Sequence, residues 1–338
     1  MFDFLGICLA LAALLTVNAL VSLLTLAVWR LASPLVKNLN AATRARLIFA
    51  LRIFPATTAF LVVTVFLIPS YLVFEPRQTG EIVSFKLGLL ALFSVTGIVL
   101  AFWRGIAAGL ATRELVNNWL AHSETLQLKE ISIPAYRIEH PFPVVAVVGV
   151  LHPKLFVAGQ IFDSLTTDEL TAVIAHETAH VAACDNLKHW IMRICRDVLV
   201  VVPVNRSFDK EWSEAIELAA DEKAVGRGKG AAALDLAQAL IKIARIIPAG
   251  AKPVMPAGAF LIGSEVESGD ALARRVRRLA QLSDEKLSDL KSRLERLTSF
   301  ITWICFALLF LIVGITATNS DVLAALHAGL EKIVAILS

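Results

Sequence analysis

Cysteine is scarce in this 338-residue chain, and the four present, Cys8, Cys184, Cys195 and Cys305, form no C-x-x-C pair. That spacing excludes a zinc ribbon and argues against a disulfide framework. Charge is thin as well: 18% of residues are Asp, Glu, Lys or Arg, while 57% are hydrophobic and the mean hydropathy is +0.70. A soluble enzyme of this length does not carry that balance, so the chain reads as an integral membrane protein in contact with a lipid bilayer. No lysine or arginine precedes the first apolar run, which argues against a cleaved signal peptide. The net charge of +3 is small, so where the charges fall matters more than their sum.

Phe4 to Val28 is the first expected span. Arg30, Lys37, Arg44, Arg46 and Arg52 follow with no acidic residue among them, which by the positive-inside rule puts that loop in the cytoplasm and the N-terminus outside. Ile53 to Phe74 and Phe85 to Ala108 are the next two spans, with Arg104 and Arg113 at the cytoplasmic exit. Ser299 to Thr318 is expected as a fourth, preceded by basic residues from Arg274 to Arg296. The division expected is a membrane region over 1–111, a cytoplasmic domain over 112–297, a span over 298–318 and a short outer tail over 319–338. Such a chain sits in a bacterial-type inner membrane.

Within the water-soluble stretch, His176-Glu177-Thr178-Ala179-His180 has the H-E-x-x-H pattern. On a helix, residues four apart share a face, so His176 and His180 can offer imidazole nitrogens to one divalent ion. Glu177 is adjacent, placed to take a proton from water beside that ion. Thr166 or Thr167 supplies an N-cap, Asp168 and Glu169 suit the helix start, and Leu170, Val173, Ile174 and Val181 form an apolar stripe. Five-residue patterns arise by chance, so a third ligand decides. There is no third histidine at metzincin spacing, since Ala183 and Asn186 occupy the places such a motif would fill, but Glu217 lies on a second expected helix and can complete a His, His, Glu set. Asp221, one turn later, can accept a hydrogen bond from a ligand histidine and fix its tautomer. Pro143 to Gly149 and Lys154 to Ala158 read as paired strands before the metal helix, candidates either for holding an extended peptide or simply for the core. The apolar run Asp197 to Asn205 is too short to span and is expected to dock against the membrane face or the transmembrane bundle.

Taken together, these parts resemble the BlaR/MecR family of membrane zinc proteases, cytoplasmic antirepressor enzymes. The resemblance rests on Pro141-Phe142-Pro143, Val148-Gly149, Leu165-Thr166 with Asp168-Glu169-Leu170, Ala175-His176-Glu177 with His180 and Asp185, Glu217-x-x-x-Asp221, and the helix from Arg274 to Leu282. It implies an α-helical integral membrane protein of about four transmembrane helices with an inserted cytoplasmic α+β gluzincin-type domain. It further implies zinc held by His176, His180 and Glu217, Glu177 as base, and a cytosolic repressor or the protease itself as substrate. Family members that sense β-lactams carry a penicillin-binding domain after the fourth span, and this chain ends about twenty residues beyond it, so the sensing role does not carry over. A separate sensor subunit is the alternative. Proteases of the HtpX quality-control type also pair H-E-x-x-H with a later glutamate, but with a membrane hairpin between them that Leu199 to Val204 cannot form.

Other residues have plainer readings. Asp185 is expected to anchor the helix end by hydrogen bonding or a salt bridge; Cys184, one further turn along the face of His176 and His180, to be a small buried cysteine rather than a ligand; and His122, His140 and His327 to be surface or core residues. His189, His152 and Arg193 are candidate oxyanion donors. The basic helix Arg274 to Arg278 is a solvated face or is attracted to anionic lipid; no recognition motif points to nucleic acid. Leu287, Leu290, Leu294 and Leu297 form a seam suited to packing or homodimerisation. Two function classes follow: a membrane-anchored zinc endopeptidase acting on a cytosolic regulator or on quality-control substrates, and a non-catalytic metal-binding scaffold.

Overall fold

A computed structural model describes residues 2–36, 39–76, 83–128, 131–198, 206–226, 230–247, 269–284, 311, 314–316 and 318–337. Among the described residues, three helices are long and apolar enough to cross a membrane, over Phe2–Pro34, Ala41–Phe74 and Phe85–Ala121. The first is α1 (Phe2–Val36). The second is α2 (Ala41–Leu61), continued through a π-helical turn at Val62–Leu67 into α3 (Ile68–Phe74). Asn40 caps α2, its side chain accepting from Thr43 N at 2.7 Å. The third is α4 (Phe85–Ala121), capped by Ser84 and unbroken for 37 residues. Most of the expected fourth span, the leucine seam and most of the Asp197 to Asn205 run lie outside the described residues. The tail forms α11 (Ser320–Leu337), whose Leu323 carbonyl accepts from Ser70 Oγ at 3.0 Å.

The expected start of the soluble domain near residue 112 falls inside α4. Its last turns carry Leu115, Val116, Trp119 and Leu120 onto the domain's core, where the Trp119 ring meets Phe156 edge-on at 5.1 Å. A four-stranded sheet follows: β1 (Ser123–Leu126), β2 (Ala135–Ile138), β3 (Val145–Val148) and β4 (Lys154–Ala158), in the order β1-β2-β4-β3. β3 and β4 are the two strands expected from the sequence, paired antiparallel with Val145 opposite Val157, and β3 is an edge. All four β3 residues are buried, as a short apolar run flanked by turn residues requires. After α5 (Gly159–Ser164) come α6 (Thr167–Ala183), α7 (Asp185–Asp197), α8 (Arg206–Val225), α9 (Gly230–Ile246) and α10 (Gly269–Asp284).

One core joins the sheet to α6, α9 and α10. A second ties membrane to domain: Trp29 of α1 and Ile48 of α2 pack with Met192 of α7 and Phe208, Trp212, Ala215 and Ile216 of α8. Two arginines expected to mark a cytoplasmic loop have partners on α8: Arg44 with Glu211 at 3.4 Å, and buried Arg52 with Asp209 at 3.5 Å. At α4, Gly97 leaves room for the Val198 carbonyl, which a Cβ at that position would strike. Gly97→Ala therefore forces the end of α7 away from α4, read as a lowered thermal midpoint of the detergent-purified protein.

Glu169 reports on the other end of the domain. Burial would raise its pKa, but hydrogen bonds from Lys242 at 2.7 Å and from Thr166 N at 2.8 Å hold it below the usual carboxylate range. A depressed carboxylate contributes stability that is present above its unfolded pKa and lost as pH falls through its folded one. Lys242→Met should therefore lower the thermal midpoint at neutral pH and leave it closer to the parent's in acid. An equal loss at both pH values would assign the effect to packing instead.

Candidate metal centre

The metal helix begins where the sequence indicates. Thr166 Oγ1 accepts from Glu169 N at 3.3 Å while Glu169 Oε2 accepts from Thr166 N at 2.8 Å, a reciprocal capping box. That fixes α6 in register, so His176, Glu177, Ala179 and His180 face the interior. The helix ends at Cys184, which adopts a left-handed conformation at φ 55°, and α7 departs immediately with Asp185. Cys184 is exposed, not buried as expected: a left-handed capping position turns its side chain out of the α6 face.

Three side chains converge. His176 and His180 Nε2 lie 3.2 Å apart, Glu217 Oε2 lies 3.4 Å from His176 Nε2, and Glu217 Oε1 lies 3.6 Å from His180 Nε2. Ligands at about 2.0–2.1 Å in tetrahedral array stand roughly 3.3 Å apart, so the spacing fits one small divalent ion. All three residues are buried, and they form a group that can hold a metal ion.

The opposite ring nitrogens are anchored by carboxylates. His180 Nδ1 donates to Asp185 Oδ2 at 2.8 Å, and because a carboxylate only accepts, Nε2 is left with its lone pair facing the triad. Asp221 Oδ1 lies 2.9 Å from His176 Nδ1, off the line of a good hydrogen bond. Asp185 and Asp221 thus stand behind the two histidines, the arrangement by which carboxylates orient metal-binding imidazoles.

Arg275 is the residue the sequence reading placed wrongly. It reaches in from α10, donating to Asp221 through Nε at 2.8 Å and Nη2 at 2.7 Å, with Nη1 2.9 Å from Glu217 Oε2. Only the periodicity could have shown this: Arg275, Leu279 and Leu282 share the buried face of α10, whereas Arg274 and Arg277 are exposed. The basic helix is therefore neither wholly solvated nor free for lipid.

Electrostatics follow from this packing. Burial pushes Glu177 up to about 7, against the pull of His180 and His176. Burial would also raise Glu217, but Arg275 and His176 outweigh it and bring the carboxyl down to about 2; Asp221 is held below the usual range in the same way. For His176, burial disfavours the charged ring, yet Asp221 and Glu217 prevail and raise it to about 9. Asp221 and Glu217 thus favour the charged His176 ring, and a divalent ion held by the group would take the place of that proton.

Glu177 Oε2 accepts from Val147 N of the edge strand at 3.2 Å. Asn186, at the start of α7, donates through Nδ2 to the Val147 and Gly149 carbonyls at 3.1 and 2.9 Å. These bonds stitch the α6–α7 corner to β3, a role for Asn186 that no motif announced. Of the candidate oxyanion donors, His189 packs its ring 5.8 Å from Trp212, Arg193 lines a cleft against α4, and His152 is exposed between β3 and β4. His140 Nδ1 accepts from Phe142 N, and His327 lies 3.7 Å from Glu75.

No curated protein matches this chain. A sequence model of peptidase family M48 matches residues 145–215, from the edge strand through α6 and α7 into α8, and stops two residues before Glu217. That match, over the stretch that holds His176, Glu177 and His180, supports a zinc metallopeptidase joined to helices able to cross a membrane.

Proposed function

We propose that the protein is a membrane-anchored zinc endopeptidase that cuts a cytosolic regulator, itself, or both, in transmembrane signalling of the antirepressor kind. The observation that carries the reading is the converged His176, His180 and Glu217 group with Glu177 beside it. A zinc ion held there supplies a Lewis acid that polarises a peptide carbonyl and acidifies water. Glu177, buried beside that group, takes the water's proton and delivers it to the leaving amine. A scaffold has no use for that base, which favours catalysis over metal-dependent binding alone. β3 is buried along its length and its Val147 backbone groups are taken by Glu177 and Asn186, which favours the core reading of these strands over peptide holding. The positive loop after α1 supports a cytoplasmic domain and an outer N-terminus.

The test is the zinc content and self-cleavage of the detergent-purified chain beside Glu217→Ala. Near-stoichiometric zinc and fragments are expected of the parent, with zinc affinity lowered at least tenfold in Glu217→Ala. A parent that takes up no metal when zinc is supplied would remove the ligand assignment. Zinc uptake without hydrolysis of itself or of any offered protein would leave metal-dependent binding as the function.

A further inference from the structure

The contact between α4 and α7 encloses a cleft of about 350 Å³ whose lining includes Trp103, Arg104 and Gly105 of α4 and Trp190, Arg193 and Arg196 of α7, and no carboxylate. Gly105 is buried and lets the helices approach, its carbonyl accepting from Trp190 Nε1 at 3.3 Å. Arg196 also pairs with Asp209 at 3.1 Å, which fixes the floor of the cleft without closing it. Depth is set by α4 itself: Arg104 lies nineteen residues beyond Phe85, about 29 Å along the axis, against a hydrocarbon core of about 30 Å. The cleft therefore opens at headgroup level, where tryptophan rings partition and arginine forks meet phosphate oxygens.

We propose that this cleft is a binding site for the phosphate headgroup of an anionic phospholipid. Three arginines and two tryptophans around one cavity match a phosphodiester whose acyl chains run down the lipid-facing side of α4, where Phe102 and Ile106 are exposed. The headgroup bridges a spanning helix to α7, whose first residue, Asp185, bonds His180. Binding here is independent of peptide hydrolysis and can be read without it.

The full-length protein is purified in detergent with an equal mixture of phosphatidylglycerol and phosphatidylcholine, and retained lipid is counted by native mass spectrometry. Phosphatidylglycerol is expected to be retained in preference. Arg193→Gln and Arg104→Gln should each reduce its retention by roughly fivefold, and Arg113→Gln, on the same helix but outside the cleft, should leave it unchanged. Arg193→Lys keeps the charge and loses the fork; it should retain an intermediate amount, which keeps the test usable if the glutamine variant does not fold. Equal retention of the two lipids, or parental retention by a folded Arg193→Gln, overturns the proposal. Displacement of the lipid by millimolar glycerol phosphate would also overturn it, assigning the cleft to a soluble phosphate monoester.

Discussion

Glu177→Gln is expected to retain its metal and its fold while losing peptide hydrolysis by a factor of about 10² to 10⁴, the usual contribution of a positioned general base. The amide oxygen can still accept the Val147 N–H that the carboxylate now receives, so the tie between α6 and the edge strand survives. What is lost is basicity alone. The comparison is made at equal metal content, with the thermal midpoint measured alongside. Parental hydrolysis by this variant would take Glu177 out of the reaction, and loss of metal would place it among the ligands instead.

The second large effect is expected at Arg275. Its guanidinium neutralises two buried carboxylates at once, and removing one partner of a buried ionic group costs about 3–5 kcal/mol because the other charge is left uncompensated. Arg275→Met, which keeps much of the side-chain volume, should lower the denaturation midpoint of the chelator-treated protein accordingly. Added divalent ion should restore a larger share of stability to this variant than to the parent, since the ion supplies positive charge beside Glu217. If the midpoint does not move, Asp221 and Glu217 are neutralised by some other group, and the ion pairs seen here carry little energy.

The helix bearing the two histidines was legible from residues alone because several local rules agree on it: an N-cap at Thr166 or Thr167, acidic residues in the first turn, an apolar stripe, and two histidines four apart. The structure adds that Thr166 is the cap, in a capping box with Glu169. Glu217 and Asp221 were legible for a similar reason, since a spacing of four on a helix is a statement about direction. Arg275 was hidden because a run of four arginines reads as one charged surface, although only the member in phase with Leu279 and Leu282 turns inward. Cys184 was misread because helix periodicity was continued one residue past the point where the backbone becomes left-handed. The three helices able to cross a membrane were readable as apolar runs, but their ends were not. Hydropathy marks only the apolar stretch, whereas α2 and α4 continue beyond it to meet α8 and the sheet, where contact with the domain holds them.

The unbroken course of α4 makes it a lever. A helix of 37 residues is about 55 Å long, and one end of it is held in the domain's core by Trp119. With no proline or helical defect along it to absorb bending, a tilt of about 5° at the far end displaces Trp119 by about 5 Å. Such a displacement exceeds what a packed interior tolerates without repacking. Bilayer thickness, a force usually discussed for channels, thereby acquires a mechanical path to Phe156, on the strand that pairs with β3.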